Sequence, residues 1–84
     1  MPPYMEFREI NEAIAWLRGL YGLKLTSKVV SFLGGYPTKY DIRVMSNGRP
    51  LLGFAFRLID GNWRNTETYS CYCADHSSEW KELE

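Results

Sequence analysis

Apolar residues recur at three- and four-residue spacing near the start of the chain: Ile10, Ala13, Ile14, Leu17, Leu20 and Tyr21, with Trp16 at the edge of the stripe. That period places them on one side of an α-helix and predicts a helix over Glu9–Tyr21. Glu9, Glu12 and Arg18 fall away from the stripe. Asn11 is a candidate N-cap, and Gly22 is placed to end the helix in a left-handed conformation.

The period changes to two over Leu51–Ile59. Leu52, Phe54, Phe56 and Leu58 point one way and Arg57 the other, which predicts a strand. Asp60-Gly61 supplies the positive-φ pair of a tight hairpin. The returning strand runs from about Trp63 to Cys73, with Trp63, Glu67, Tyr69, Cys71 and Cys73 on one face. Ser77–Leu83 reads as a short capped turn of helix that tucks Trp80 against the body.

Between these elements, Leu25 to Gly48 supports two readings. In one, Lys28–Leu33 and Tyr40–Met45 form a β-hairpin around Gly34-Gly35-Tyr36-Pro37, with Tyr40, Ile42 and Val44 facing inward. In the other, Thr26 or Ser27 caps a short helix stopped by Gly34-Gly35, and Thr38 caps a second that ends at Asn47-Gly48. Periodicity does not separate the two in runs this short. The helical reading yields a winged helix-turn-helix. The strand reading yields one helix packed on a four-stranded antiparallel meander.

Eighty-four residues fill one core, so a single domain is expected over residues 1–84. Apolar residues make up 45% of the chain and aromatic residues 15%, far above a disordered composition. No apolar run approaches the ~20 residues of a membrane span. The start of the chain has no basic segment followed by an apolar one, so no signal peptide is read there. Two cysteines do not make a disulfide scaffold, and a cytoplasmic location is expected.

Net charge is zero, but it is unevenly distributed. Residues 1–17 carry −2 and residues 65–84 carry −4, whereas residues 18–64 hold eight basic side chains against two acidic ones, a net of +6. A basic block attracts phosphates if folding gathers it on one surface. It is ordinary solvated surface if the acidic ends pack beside it.

Two stretches carry a resemblance. Glu6-Phe7-Arg8-Glu9-Ile10-Asn11-Glu12-Ala13-Ile14-Ala15-Trp16-Leu17 is similar to the opening of small modular helix-turn-helix DNA-binding repeats associated with phage and intron-encoded nucleases. In that family an extended residue or two leads into a helix of the type I-x-E-A-A-x-W-L. Ile42-Arg43-Val44-Met45-Ser46-Asn47-Gly48-Arg49, followed by Gly53-Phe54-Ala55-Phe56-Arg57, resembles the family's closing pattern, a recognition helix ending at a Gly-basic pair before a strand. The two matches span about a third of the chain, and residues 60–84 have no counterpart. The resemblance favours the α+β winged helix-turn-helix reading: an N-terminal amphipathic helix plus a C-terminal antiparallel β-hairpin. It implies a phage- or mobile-element-related module that contacts DNA through its basic centre. Lys39 and Arg43 would lie on the recognition helix, Thr38 at its N-terminus beside a phosphate, and Arg49 and Arg57 on flanking phosphates.

No catalytic centre, metal site or cofactor is expected. Cys71-Tyr72-Cys73-Ala74-Asp75-His76 is half a zinc site with unusual spacing. A Cys–His nucleophile there lacks a recognisable base and oxyanion donors. Gly34-Gly35 has no following Lys-Ser/Thr, so it is not a phosphate loop. The function expected is therefore a non-enzymatic nucleic-acid-binding module, with no small-molecule substrate and no membrane partner. The alternative is a protein-binding inhibitor or adaptor, such as a phage anti-defence (anti-CRISPR-like) protein that engages a host complex. Its anchors would be Trp63, Tyr69, Tyr72 and Trp80.

Overall fold

The computed structural model describes residues 5–22, 24–70 and 81–83. A two-residue strand β1 (Glu6–Phe7) leads into helix α1 (Ile10–Tyr21). Four long strands follow, β2 (Lys24–Leu33), β3 (Tyr36–Ser46), β4 (Arg49–Ile59) and β5 (Asn62–Ser70), and then a short β6 (Lys81–Leu83). All six join one sheet in the order β1-β5-β4-β3-β2-β6, every pair antiparallel. The body of the molecule is thus a four-stranded meander with one helix across it.

This overturns the winged helix-turn-helix. Residues 39–46 are strand, paired with β2 on one side and β4 on the other, so the recognition helix expected there does not form. The reason lies in the turns. Gly34-Gly35, Asn47-Gly48 and Asp60-Gly61 all hold two consecutive positive φ angles, 58° and 84°, 51° and 74°, and 51° and 81°. That is type I′ hairpin geometry, whose twist matches that of the flanking strands. Asn47-Gly48 therefore reverses a strand and does not end a helix. The predicted helical turn at the C-terminus is also corrected, since Lys81–Leu83 pair with Ser27–Leu25 as a strand. Residues 71–80, including Cys71, Cys73, His76 and Trp80, lie outside the described residues.

The amphipathic helix is present as the spacing requires. The Glu12 carboxylate accepts a hydrogen bond from the Glu9 N–H at 2.9 Å, so Glu9 and not Asn11 opens the helix. Gly22, at φ 62°, closes it by donating its N–H to the Arg18 carbonyl. Ala13 and Leu17 are buried, whereas Leu20, counted in the predicted stripe, is 55% exposed because it lies past the edge of the contact. Leu17 packs with Leu25, Ile42, Val44, Phe54 and Phe56. Phe56, Leu17, Leu25, Ile42 and Val44 are the largest fully buried side chains, each contributing about 1.5–3 kcal/mol by leaving water. Phe7 joins the two layers, its ring centroid 6.2 Å from both Trp16 on α1 and Phe56 on β4. No described helix is long and apolar enough to cross a membrane.

Candidate nucleic-acid interface

Strand alternation puts Tyr40, Ile42, Val44, Leu52, Phe54 and Phe56 under α1 and sends their neighbours to the opposite face. No described element packs on that far face. Its residues fall into cross-strand rows. Lys39 is the direct partner of Arg57, Arg57 of Arg64, and Arg64 of Glu6. In the next row, Lys28 lies opposite Asp41, Asp41 opposite Ala55, and Ala55 opposite Glu67. The row beyond runs from Thr26 through Arg43 and Gly53 to Tyr69.

Three of the five residues expected at a nucleic-acid site therefore come together here: Lys39, Arg43 and Arg57. Thr38 lies beside Lys39, where the β2–β3 register shifts, and is half-buried. Arg49 is exposed at the β3–β4 turn, eight residues along β4 from Arg57 and roughly 25 Å away at strand rise, so it does not join the others. Folding adds Lys28, Arg64, Asp41 and Tyr69, which the linear charge block did not single out. The alternation Lys39-Tyr40-Asp41-Ile42-Arg43 was the available signal, legible only once the segment is read as a strand.

The first row sets like charges against one another. Arg64 is relieved by Glu6, whose Oε1 lies 3.5 Å from its Nε while Oε2 accepts a 2.8 Å hydrogen bond from Asn62. Arg57 is exposed. Side chains directly opposite on adjacent strands are ~5 Å apart at Cβ, and like charges so placed destabilise the sheet. Asp41 sits among the cations of the adjoining row. Burial raises its carboxyl above the ordinary aspartate value, against the pull of Lys39, Arg43 and Lys28, with Glu67 adding to the rise. One of its oxygens is buried without a hydrogen-bond partner.

Tyr69 reaches this face through a bulge. Phe56 pairs with Asn65 but the preceding Ala55 pairs with Glu67, so Thr66 is the extra residue. Asn65 fastens the bulge, its Nδ2 donating to the carbonyls of Ala55 and Glu67 at 3.0 Å each. The bulge reverses the alternation, leaving Trp63 buried in the core while Glu67 and Tyr69 go to the far face. The expectation that all three share one face is corrected accordingly. The Tyr69 ring lies on Gly53, where a β-carbon would overlap it. Among the anchors expected for a protein-binding role, Trp63 is thus unavailable, being 7% exposed. Tyr72 and Trp80 lie outside the described residues. Among the described residues no cluster of His, Cys, Asp and Glu is arranged to hold a metal.

No protein-family model matches the chain, and no curated protein or solved structure is similar to it.

Proposed function

We propose that this domain binds single-stranded nucleic acid across the sheet face opposite α1. The observation that carries the reading is the row Lys39–Arg57–Arg64, cations placed side by side on three adjacent strands at a cost to the sheet. A polyphosphate backbone laid along that row converts the repulsion into attraction and releases counterions. Arg43, two rows away beyond Asp41, adds a further cation to the same face. Tyr69 adds an aromatic ring beside it, held in place by its seat on Gly53. A phosphate track with an adjacent aromatic ring is the general recipe for single strands, where each stacked base contributes about 1–3 kcal/mol. A duplex fits less well, because the major groove takes a helix or a two-stranded ribbon and not a broad sheet.

Fluorescence anisotropy with single-stranded RNA, single-stranded DNA and duplex DNA at low and moderate salt tests this. Single strands are expected to bind more tightly than duplex, with affinity falling as salt rises. Lys39→Glu with Arg57→Glu is expected to weaken binding at least tenfold and to lower the salt slope by about 0.7 for each lost phosphate contact. The melting temperature should barely move, since charges at an exposed position such as Arg57 or a partly exposed one such as Lys39 contribute little to folding. Absence of binding at low salt would overturn the reading.

A further inference from the structure

The three hairpins of the meander share one turn geometry and differ in what flanks it. Ser46 pairs with Arg49 at Asn47-Gly48, and Ile59 with Asn62 at Asp60-Gly61, so each of these turns has a polar side chain in its closing pair. At Gly34-Gly35 the closing pair is Leu33 with Tyr36, and Phe32 precedes it opposite Pro37. Leu33, Tyr36 and Phe32 are 76%, 75% and 62% exposed, the three most exposed of the seven large apolar side chains that the described residues present to solvent. Apolar residues scattered singly are normal on a surface, but three within five consecutive positions at the end of an arm form a patch. They bury little, and the other two turns reverse the chain without such a flank, so the fold does not need them. Register shifts around Ser31 increase the twist of the arm behind them.

We infer that the β2–β3 tip stacks on nucleobases, with Phe32 and Tyr36 as the rings that receive them and Leu33 as an apolar wedge beside them. The inference rests on the single-strand reading and names what that strand must offer, which is unpaired bases. Tyr36 lies three residues from Lys39 on β3, roughly 10 Å at strand rise, and Lys39 begins the row that continues through Arg57 to Arg64. A strand whose phosphates follow that row brings its next bases to the tip. Residues 29–40 hold Lys39 and no carboxylate, so the arm itself carries no charge that repels a phosphate. Every base has a π-face on which an aromatic ring stacks, and apolar side chains wedge between base steps. An anionic lipid surface is the competing occupant of an apolar tip backed by cations. The Asp60-Gly61 turn lies at the same end of the sheet, however, because Lys39 and Arg57 are direct partners a few residues from their respective turns. A bilayer met end-on would confront the exposed Asp60 carboxylate, whereas a narrow single strand passes the tip without covering it.

Fluorescence anisotropy of the full chain tests this with a labelled single-stranded oligonucleotide and with its abasic counterpart, which keeps the phosphates and lacks the bases. Phe32→Ala and Tyr36→Ala are each expected to weaken binding to the base-bearing strand at least about fivefold. The salt slope should stay unchanged, because no phosphate contact is lost. Neither variant should bind the abasic strand more weakly than the parent chain does. Tyr36→Trp, which keeps a ring at the tip, should retain the parent affinity, as should Leu20→Ala at an exposed apolar site on α1. Unchanged affinity in both alanine variants overturns the inference and leaves the single-strand reading standing. A loss that is equally large on the abasic strand also overturns it, since stacking is then not the cause. Binding of the parent chain to phosphatidylserine vesicles that both variants abolish, with no change on the oligonucleotide, assigns the tip to lipid instead. If the parent chain binds no strand at low salt, the single-strand reading fails and the inference fails with it.

Discussion

The two faces of this sheet obey different rules although the same four strands supply both. Under α1, each position is filled by a side chain that packs: Leu25, Ile42, Val44 and Phe56 are fully buried. On the far face the middle of strand β4 is nearly bare, contributing Gly53 and Ala55 before Arg57, while β3 and β5 line it with Arg43, Asp41, Glu67 and Tyr69. One face is built for cohesion. The other accepts adverse electrostatics, with cation beside cation in one row and a half-buried carboxylate in the next. Stability alone does not select such a face, because alternating signs at the same positions would have held the sheet better. The contrast separates what folds the chain from what the chain presents.

The largest losses should come from the covered face. Phe56→Ala should cost about 3–5 kcal/mol and Leu17→Ala about 2–5 kcal/mol, each leaving a cavity that a small core cannot refill. Denaturant titration measures both. In a domain this size either loss approaches the whole stability. A cost below half a kcal/mol for Leu17→Ala would mean that α1 does not seat on the sheet as described.

How far the sequence discloses this division depends on the element. The helix, the strand over Leu51–Ile59 and the Asp60-Gly61 hairpin were legible because period and turn chemistry agreed. Residues 25–48 were not. Thr38 suits a helix start and Gly48 a helix stop, and both suit a hairpin equally well, so local signals were degenerate until pairing partners were known. The strand reading, with Tyr40, Ile42 and Val44 inward, is the one the sheet realises. The far face was half legible. A count of charges marks residues 18–64 as basic, but register decides which of them meet: Lys39 finds Arg57 across a strand pair, and Arg49 is carried to the opposite end. Tyr69 was hidden by one extra residue at the Asn65–Glu67 bulge, because a bulge shifts alternation without changing composition.

A change on the far face should cost less and do so through one specific contact. Gly53→Ala drives a methyl group into the Tyr69 ring and should destabilise by about 1–3 kcal/mol. Tyr69→Ala should remove most of that penalty. The double-mutant cycle is therefore expected to show a coupling of about 0.5–3 kcal/mol. Strictly additive effects would mean that the ring does not rest on Gly53.

Asp41 gives the smallest effect and the finest test of the contrast. Burial lifts its carboxyl pKa in the folded chain above the unfolded value, although Lys39, Arg43 and Lys28 pull it down. The folded chain therefore holds the proton more tightly than the unfolded chain. Below the ordinary carboxylate range this group contributes its full stabilisation, which is lost as pH rises through that range towards the raised value. Asparagine cannot ionise, so Asp41→Asn removes that pH dependence. Relative to the unsubstituted chain, the variant should gain stability as pH rises, by about a few tenths of a kcal/mol, as expected for a partly exposed position. Urea titrations from pH about 3 to 7 measure the difference. A difference that stays flat with pH would show that the carboxyl is not held in the desolvated setting described. The same substitution removes the one negative charge set between Lys39 and Arg43, so on the cationic-face reading it should tighten nucleic-acid binding while making the fold slightly more stable at neutral pH. A covered-face substitution has no route to that combination, because altering a packed side chain changes binding only by loosening the sheet.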